Sequence, residues 1–299
     1  MTVMPVYVDT HLHLADYLDY CAGTGHMHGK FAQPALFCFS AHDRTEFKRH
    51  QAFLEQKSFT ISPAYIYNGI RQSKQPHILF SFGIHPQKPV IDEAEFLYRL
   101  LETRQIQAIG ECGFDLFNDD YKRTLSAQQK IWNMQLDLAQ QFQVPLIIHC
   151  RKALALIFES VPKLKKLPSV IFHGWGGSPQ EALSLLKKGV NAYFSIGKAV
   201  LRGQKSVCAM AARFDIRRLL TETDAPYMNL KAEPFSHPHD IVAVTARCAE
   251  LRKFGDDLIK QYTDCSMAMD NIPVVDEELN AFLDVIVQNF NAAFGLPNL

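Results

Sequence analysis

Six side chains in this 299-residue sequence are of the types that hold divalent cations, and each closes a short apolar run. Asp9-Thr10-His11-Leu12-His13 ends the first run. In an extended chain residues two apart share a face, so His11 and His13 project together. Glu111 lies in AIGECGFD, His149 in PLIIHC, His173 in SVIFHGWGG and Asp224 in RLLTETDAP. A lone histidine in a strand is ordinarily a hydrogen-bonded core residue, and an isolated His-x-His is a moderate signal. Four imidazoles and two carboxylates at equivalent run ends are a different case. Burying so many ionisable groups without compensation costs several kcal/mol apiece, and a pair of divalent cations removes that cost. Mixed imidazole and carboxylate donors suit Zn, Mn, Fe or Co better than an all-oxygen cage for Mg or Ca, although the residues do not choose among Zn, Mn, Mg, Co and Ni. Two such ions ~3.5–4 Å apart activate a shared water and clamp the attacking and leaving oxygens of a hydrolysis.

The elements that must bring these residues together are legible as a repeat of strand and helix. The apolar runs occupy 6–14, 35–40, 78–86, 108–115, 145–150, 169–177, 192–197 and 218–226, apolar on both faces as strands covered by helices must be. Each gap exceeds the roughly 10–12 residues that a parallel crossover needs. Ser178-Pro179-Gln180-Glu181 forms a capping box with proline at the first helical position. Its helix carries Leu183, Leu185 and Leu186 and closes on Lys187, Lys188 and Gly189. Ser126 with Gln129 opens another helix, expected to bury Ile131, Met134, Leu138 and Phe142. The last helix aligns Leu279, Phe282, Leu283, Ile286, Val287, Phe290 and Phe294 in one stripe. Residues 16–33 read as a loop. Eight strands alternating with helices and no linker predict an α/β fold, a single-domain (β/α)8 TIM barrel over 1–299, with a doubly wound open sheet as the alternative. Chemistry in such barrels sits where the strands end. Glu111, near the barrel axis, is then the bridge between two cations, and Asp224 ligates and takes the proton of the attacking water.

Composition excludes other classes. The hydrophobic share is 47% and the charged share 21%, and 31 basic residues balance 31 acidic ones, so bulk charge does not hold a polyanion. No run approaches the ~18 apolar residues of a membrane span. The start, MTVMPVYVDTHLH, carries no secretion pattern, and seven unpaired-looking cysteines predict reduced thiols and a cytoplasmic protein.

The stretches DTHLHL, GIHP, AIGECGFD, PLIIHCRKA, FHGWGG, YFSIG, LLTETDAPY and NFNAAFGL, from residue 9 to 296, resemble in their joint order the TatD family of metal-dependent deoxyribonucleases of the amidohydrolase superfamily. The resemblance implies that His11, His13, Glu111, His149, His173 and Asp224 are the ligands of two divalent metals. It further implies a (β/α)8 barrel and hydrolysis of phosphodiesters in DNA, commonly 3′-to-5′ on single strands. The chain departs from the family pattern in three places. Ala15-Asp16 replaces the Asp that usually follows HxHL, HGWGG stands for HCFSG, and MNLKAEPFSHPHD stands for the RG…NEP segment thought to help hold nucleic acid. All three leave the ligands intact. The third keeps open hydrolysis of an amide, ester or lactone of a small molecule, and a non-catalytic barrel is the remaining alternative.

Further residues have two readings each. His85 could bond a phosphate oxygen or the activated water, or order the turn at Pro86. Asp115 could support a ligand from behind, and Arg151 could clamp a phosphate; the two could equally form an ordinary ion pair. Trp175 could stack on a base or anchor its loop. Cys21, His26 and His28 could hold a further metal or belong to a polar loop. Residues 151–218 carry 13 basic residues against Glu159, Glu181 and Asp215. Of these, Arg151, Lys152, Lys198, Arg202 and Lys205 follow strands at the mouth and are the expected contacts for a phosphate backbone.

Overall fold

The computed structural model describes residues 6–24, 35–55, 78–231, 233–254 and 277–297. Its strands are β1 Tyr7–Leu12, β2 Ala35–Ala41, β3 Ile78–Phe82, β4 Ala108–Asp115, β5 Leu146–Arg151, β6 Val170–Phe172, β7 Ala192–Ile196 and β8 Leu219–Thr221. They form one parallel sheet in sequence order, and helices cover it outside, so the architecture is the expected (β/α)8 barrel. Each apolar run of the sequence supplies one strand. The continuous apolar character follows from burial on both faces, inward on the barrel core and outward on the helices.

The seam between β8 and β1 closes differently from the other pairs. Thr10 Oγ1 donates to the Thr221 carbonyl at 3.0 Å, and Thr221 Oγ1 donates to the Val8 carbonyl at 2.6 Å. Beyond the strand end, the amide of Asp224 donates to the His11 carbonyl at 3.0 Å and that of His13 to the Ala225 carbonyl at 2.8 Å. Asp9, fully buried, accepts from the Thr223 amide at 3.0 Å and its hydroxyl at 2.7 Å. With only three residues in β8, side-chain hydroxyls complete the closure. This stitching fixes Asp224 beside His11 and His13.

The helices match the sequence in kind and differ in phase. The capping box at Ser178 is present, with helix Pro179–Lys187 ending before Gly189 at φ 88°; Leu185 is buried, whereas Leu183 is exposed. Helix Glu277–Phe294 buries its expected stripe apart from Val287, which is half-buried. Helix Leu125–Phe142 is entered from Thr124 and not from Ser126, and it buries Ile131, Trp132, Gln135, Leu136 and Ala139, leaving Met134, Leu138 and Phe142 half-buried. Two glutamines cause that rotation. Gln128 pairs with both the amide and the carbonyl of Asp115, at 2.9 and 3.1 Å. Gln135 does the same for Ile84, at 2.7 and 3.2 Å. The expected loop after β1 begins instead as a helix, Leu14–Thr24, in which Leu14, Tyr17 and Cys21 are buried at helical spacing. His26 and His28 lie outside the described residues. Among the described residues no helix is long and apolar enough to cross a membrane.

Candidate metal centre

The strand ends deliver all six predicted ligands to one cup. Gly83 after β3 makes the approach of β4 possible: a Cβ there would lie 2.7 Å from the Glu111 carbonyl, so only glycine fits. Glu111, 3% exposed, stands at the centre with five imidazoles around its carboxylate. Its Oε2 is 3.3 Å from His11 Nε2 and 3.4 Å from His13 Nε2. Both nitrogens are 3.6 Å from Asp224 Oδ1 and 3.2 Å from each other. Its Oε1 faces the other side, 2.5 Å from His149 Nδ1, 2.8 Å from His173 Nε2 and 3.3 Å from His85 Nε2. One carboxylate therefore serves two donor groups, one with each oxygen.

The donor separations fit a cation. Ligands 2.0–2.2 Å from a tetrahedral centre stand about 3.3–3.6 Å apart, and the His11, His13, Glu111 and Asp224 contacts span 3.2–3.6 Å. Charge argues the same way, because this buried carboxylate is paired with imidazoles and with no lysine or arginine among the described residues. Its charge instead favours the protonated forms of three of them, His13, His149 and His173. Burial lowers His13, but hydrogen bonding and charge from Glu111, with help from Asp224 and Glu46, lift it to about 9. Burial lowers His173 too, and Glu111 and Glu222 outweigh it, leaving the group well above its ordinary value. His11, buried and beside His173, falls to about 4. Burial raises Asp224 to about 7. Asp224 also sits in the left-handed region at φ 56°, a conformation that Asp tolerates and that turns its carboxyl over the cup.

Groups behind the rings aim them. Ser40 Oγ is 2.9 Å from His11 Nδ1. Asp115, fully buried, is 3.1 Å from His149 Nε2 and also accepts from Gln87 Nε2 at 2.8 Å, so the supporting position expected of it is where it lies. Glu222, fully buried, places Oε1 3.3 Å from His173 Nδ1 and accepts the Gly174 amide at 2.6 Å. Sequence reasoning missed Ser40 and Glu222. For Glu222 a signal existed, since it stands two residues before Asp224 in the same extended run. His42 and Asp43, just after β2, with Glu46 in the first turn of the helix Arg44–Glu55, form a further candidate metal group that the sequence reading did not include.

The outer residues need correction. Trp175, expected as a base-stacking ring, is 5% exposed and packs edge-on against Phe172 and Phe194, so the loop-anchoring alternative holds. Lys198, expected to face phosphate, is fully buried and pairs with Glu233 and with Asp240 at 2.6 Å. It anchors the segment after β8 instead. His85 joins the Glu111 cluster directly. Arg151 is exposed, 3.6 Å from Asp115; Arg202 is exposed on the loop after β7 and Lys205 at the start of the helix Lys205–Arg213.

The sequence profile of the family described as TatD related DNase matches residues 8–295. The chain is 32% identical over 168 residues to a Pantoea ananatis protein named 3'-5' ssDNA/RNA exonuclease TatD, covering 53% of this chain and 62% of that one. It is 31% identical over 194 residues to an uncharacterized metal-dependent hydrolase of Mycoplasma pneumoniae, covering 60% and 72%. The chain thus spans a little under two thirds of the length of the first of these relatives. Its fold is like that of YJJV, a TatD homologue from Escherichia coli K12, with a TM-score of 0.68 at 23% identity over 97% of this chain and 98% of that one.

Proposed function

The chain belongs to the TatD-related DNase family, and from that premise we propose that it is a divalent-metal-dependent hydrolase that cuts phosphodiester bonds from the ends of single-stranded DNA, in the 3′-to-5′ direction. The observation that carries this reading is the division of Glu111, whose Oε2 belongs with His11, His13 and Asp224 and whose Oε1 belongs with His149, His173 and His85. The first group would hold one cation and the second another, each reaching one oxygen of Glu111. Two cations so held supply an activated water and charge stabilisation for the oxygens of a displacement at phosphorus. The protein does the rest. Asp224 accepts the proton of the attacking water, its carboxyl facing the cup beside His11 and His13. Ser40, Asp115 and Glu222 keep three rings in the orientations that ligation needs. Exposed Arg151, Arg202 and Lys205 attract the polyanion to the mouth.

The test is an end-labelled single-stranded oligonucleotide incubated with the full chain in Mg, Mn, Co or Zn at low salt. A ladder descending from the 3′ end is expected. Intact substrate under every metal would defeat the proposal.

A further inference from the structure

The rim between β4 and β5 holds an arrangement that the metal centre does not use. Asp115 pairs in register with Arg151 across these strands, which brings the next residues, Leu116-Phe117 and Lys152, to the same place. Arg151 lies with Cζ 4.1 Å from the Phe117 ring centroid, and Lys152 with Nζ 4.6 Å from it. Lys152 Nζ also donates to the Phe117 carbonyl at 3.4 Å. Lys152 adopts φ 55°, left-handed backbone that a lysine rarely takes, and this turns its side chain back to the Phe117 ring and carbonyl. Two cations at one ring do not serve to bury it: Phe117 remains 48% exposed, and both cations are exposed as well. The cluster also begins close to the chemistry, because Arg151 touches Asp115 and Asp115 touches His149.

Another exposed ring at the mouth provides the contrast. Tyr227, after β8, is 42% exposed, but its hydroxyl donates to Asp16 at 2.6 Å, so its neighbour is an anion that repels phosphate. In a barrel of this strand order, the β8–β1 rim lies across the mouth from the β4–β5 rim.

We propose that Phe117, Arg151 and Lys152 form a nucleotide platform for the strand being cut, with a base stacked on the Phe117–Arg151 pair and the adjoining phosphate paired with Lys152 and the outward N–H groups of Arg151. This rests on the nuclease reading of the same site. Every base has a π-face, so an aromatic platform binds single strands without choosing sequence. A guanidinium is planar, stacks with rings and keeps donors at its edge, whereas an ammonium is a compact charge. The pairing thus suits the alternating base and phosphate of an unpaired strand.

The test is the anisotropy of a labelled oligonucleotide binding the full chain in EDTA, where no cutting competes, compared with an abasic strand of the same length. The wild-type protein should prefer the base-bearing strand by roughly tenfold. Phe117→Ala should abolish that preference and Phe117→Trp restore it, with circular dichroism confirming the fold of each. Lys152→Gln should keep the preference while reducing the magnitude of the salt slope by about 0.7, the share of one phosphate on a single strand. Equal binding of both strands by the wild-type protein, or a preference that survives Phe117→Ala, overturns the platform. The two proposals fail separately. A chain that prefers the base-bearing strand but never cuts it sinks the nuclease reading and keeps the platform; cutting without base preference does the reverse.

Discussion

Glu111 commits both carboxylate oxygens while five imidazoles face them, and its charge favours the protonated forms of His13, His149 and His173. Cations entering the cup must displace those protons. Protons compete for His13 below about pH 9 and for Asp224 below about pH 7. Apparent metal affinity should therefore rise as pH climbs through that window and level off above it. Isothermal titration at pH 7 in two buffers of different ionisation enthalpy should give different heats; identical heats would refute proton release. Glu222 reaches the centre through His173 Nδ1 and holds the Gly174 amide beside it. Glu222→Gln should keep the fold and weaken divalent-metal affinity roughly 10–100-fold, read by metal titration. Ser40 escaped sequence reading because its role is defined by the ring nitrogen it faces, a relation between separate strands that spacing does not encode, whereas Glu222 shares the i, i+2 spacing with Asp224 that marked His11 and His13.

At the scale of elements, the helix Leu125–Phe142 does more than cover the sheet. Gln128 and Gln135 reach through it to the backbone where β4 ends and where His85 begins its turn. An apolar count along the helix cannot see this, because glutamine enters the count as polar and therefore outward-facing. Gln135→Leu removes both partners of Ile84 and leaves a buried amide and carbonyl unpaired. The expected cost is about 1–3 kcal/mol for each of the two groups, read as a lower denaturation midpoint. Lys198 tells a similar story for the segment after β8. Lys198→Met strands Glu233 and Asp240 beside each other, and a broken buried pair costs about 3–5 kcal/mol. A melting curve unchanged by that substitution would show that the segment is held by other contacts.

For the whole molecule, ion binding and folding are linked because the cup exists only in the closed barrel. The six candidate ligands sit on five strand ends, and the β8–β1 seam, stitched by Thr10, Thr221 and Asp9, holds Asp224 beside His11. Adding a divalent cation at a hundred times its dissociation constant should stabilise the fold by about 2.7 kcal/mol, and a chelator should reverse the gain in a thermal melt. The net formal charge of zero leaves attraction of a polyanion to local cations at the mouth. Cutting of DNA should then slow steeply with salt, by about 0.7 log units per log unit of salt for each phosphate held. A flat response would favour a small uncharged substrate.

The linear pattern already carries the barrel and the six side chains that meet in its cup. Strands buried on both faces must be apolar throughout, so a polar ionisable residue at each strand end stands out without coordinates, as His11, His149 and Asp224 do. Helix existence was readable for the same reason, from the capping box at Ser178 and the stripe of the last helix. Tertiary structure alone decided which polar residues face the cup and which turn away. Lys198 and Trp175 follow their strands as Arg151 does, yet the first is drawn inward by two carboxylates and the second by two phenyl rings. Direction at a strand end depends on partners contributed by distant segments, and one-dimensional spacing carries no record of them.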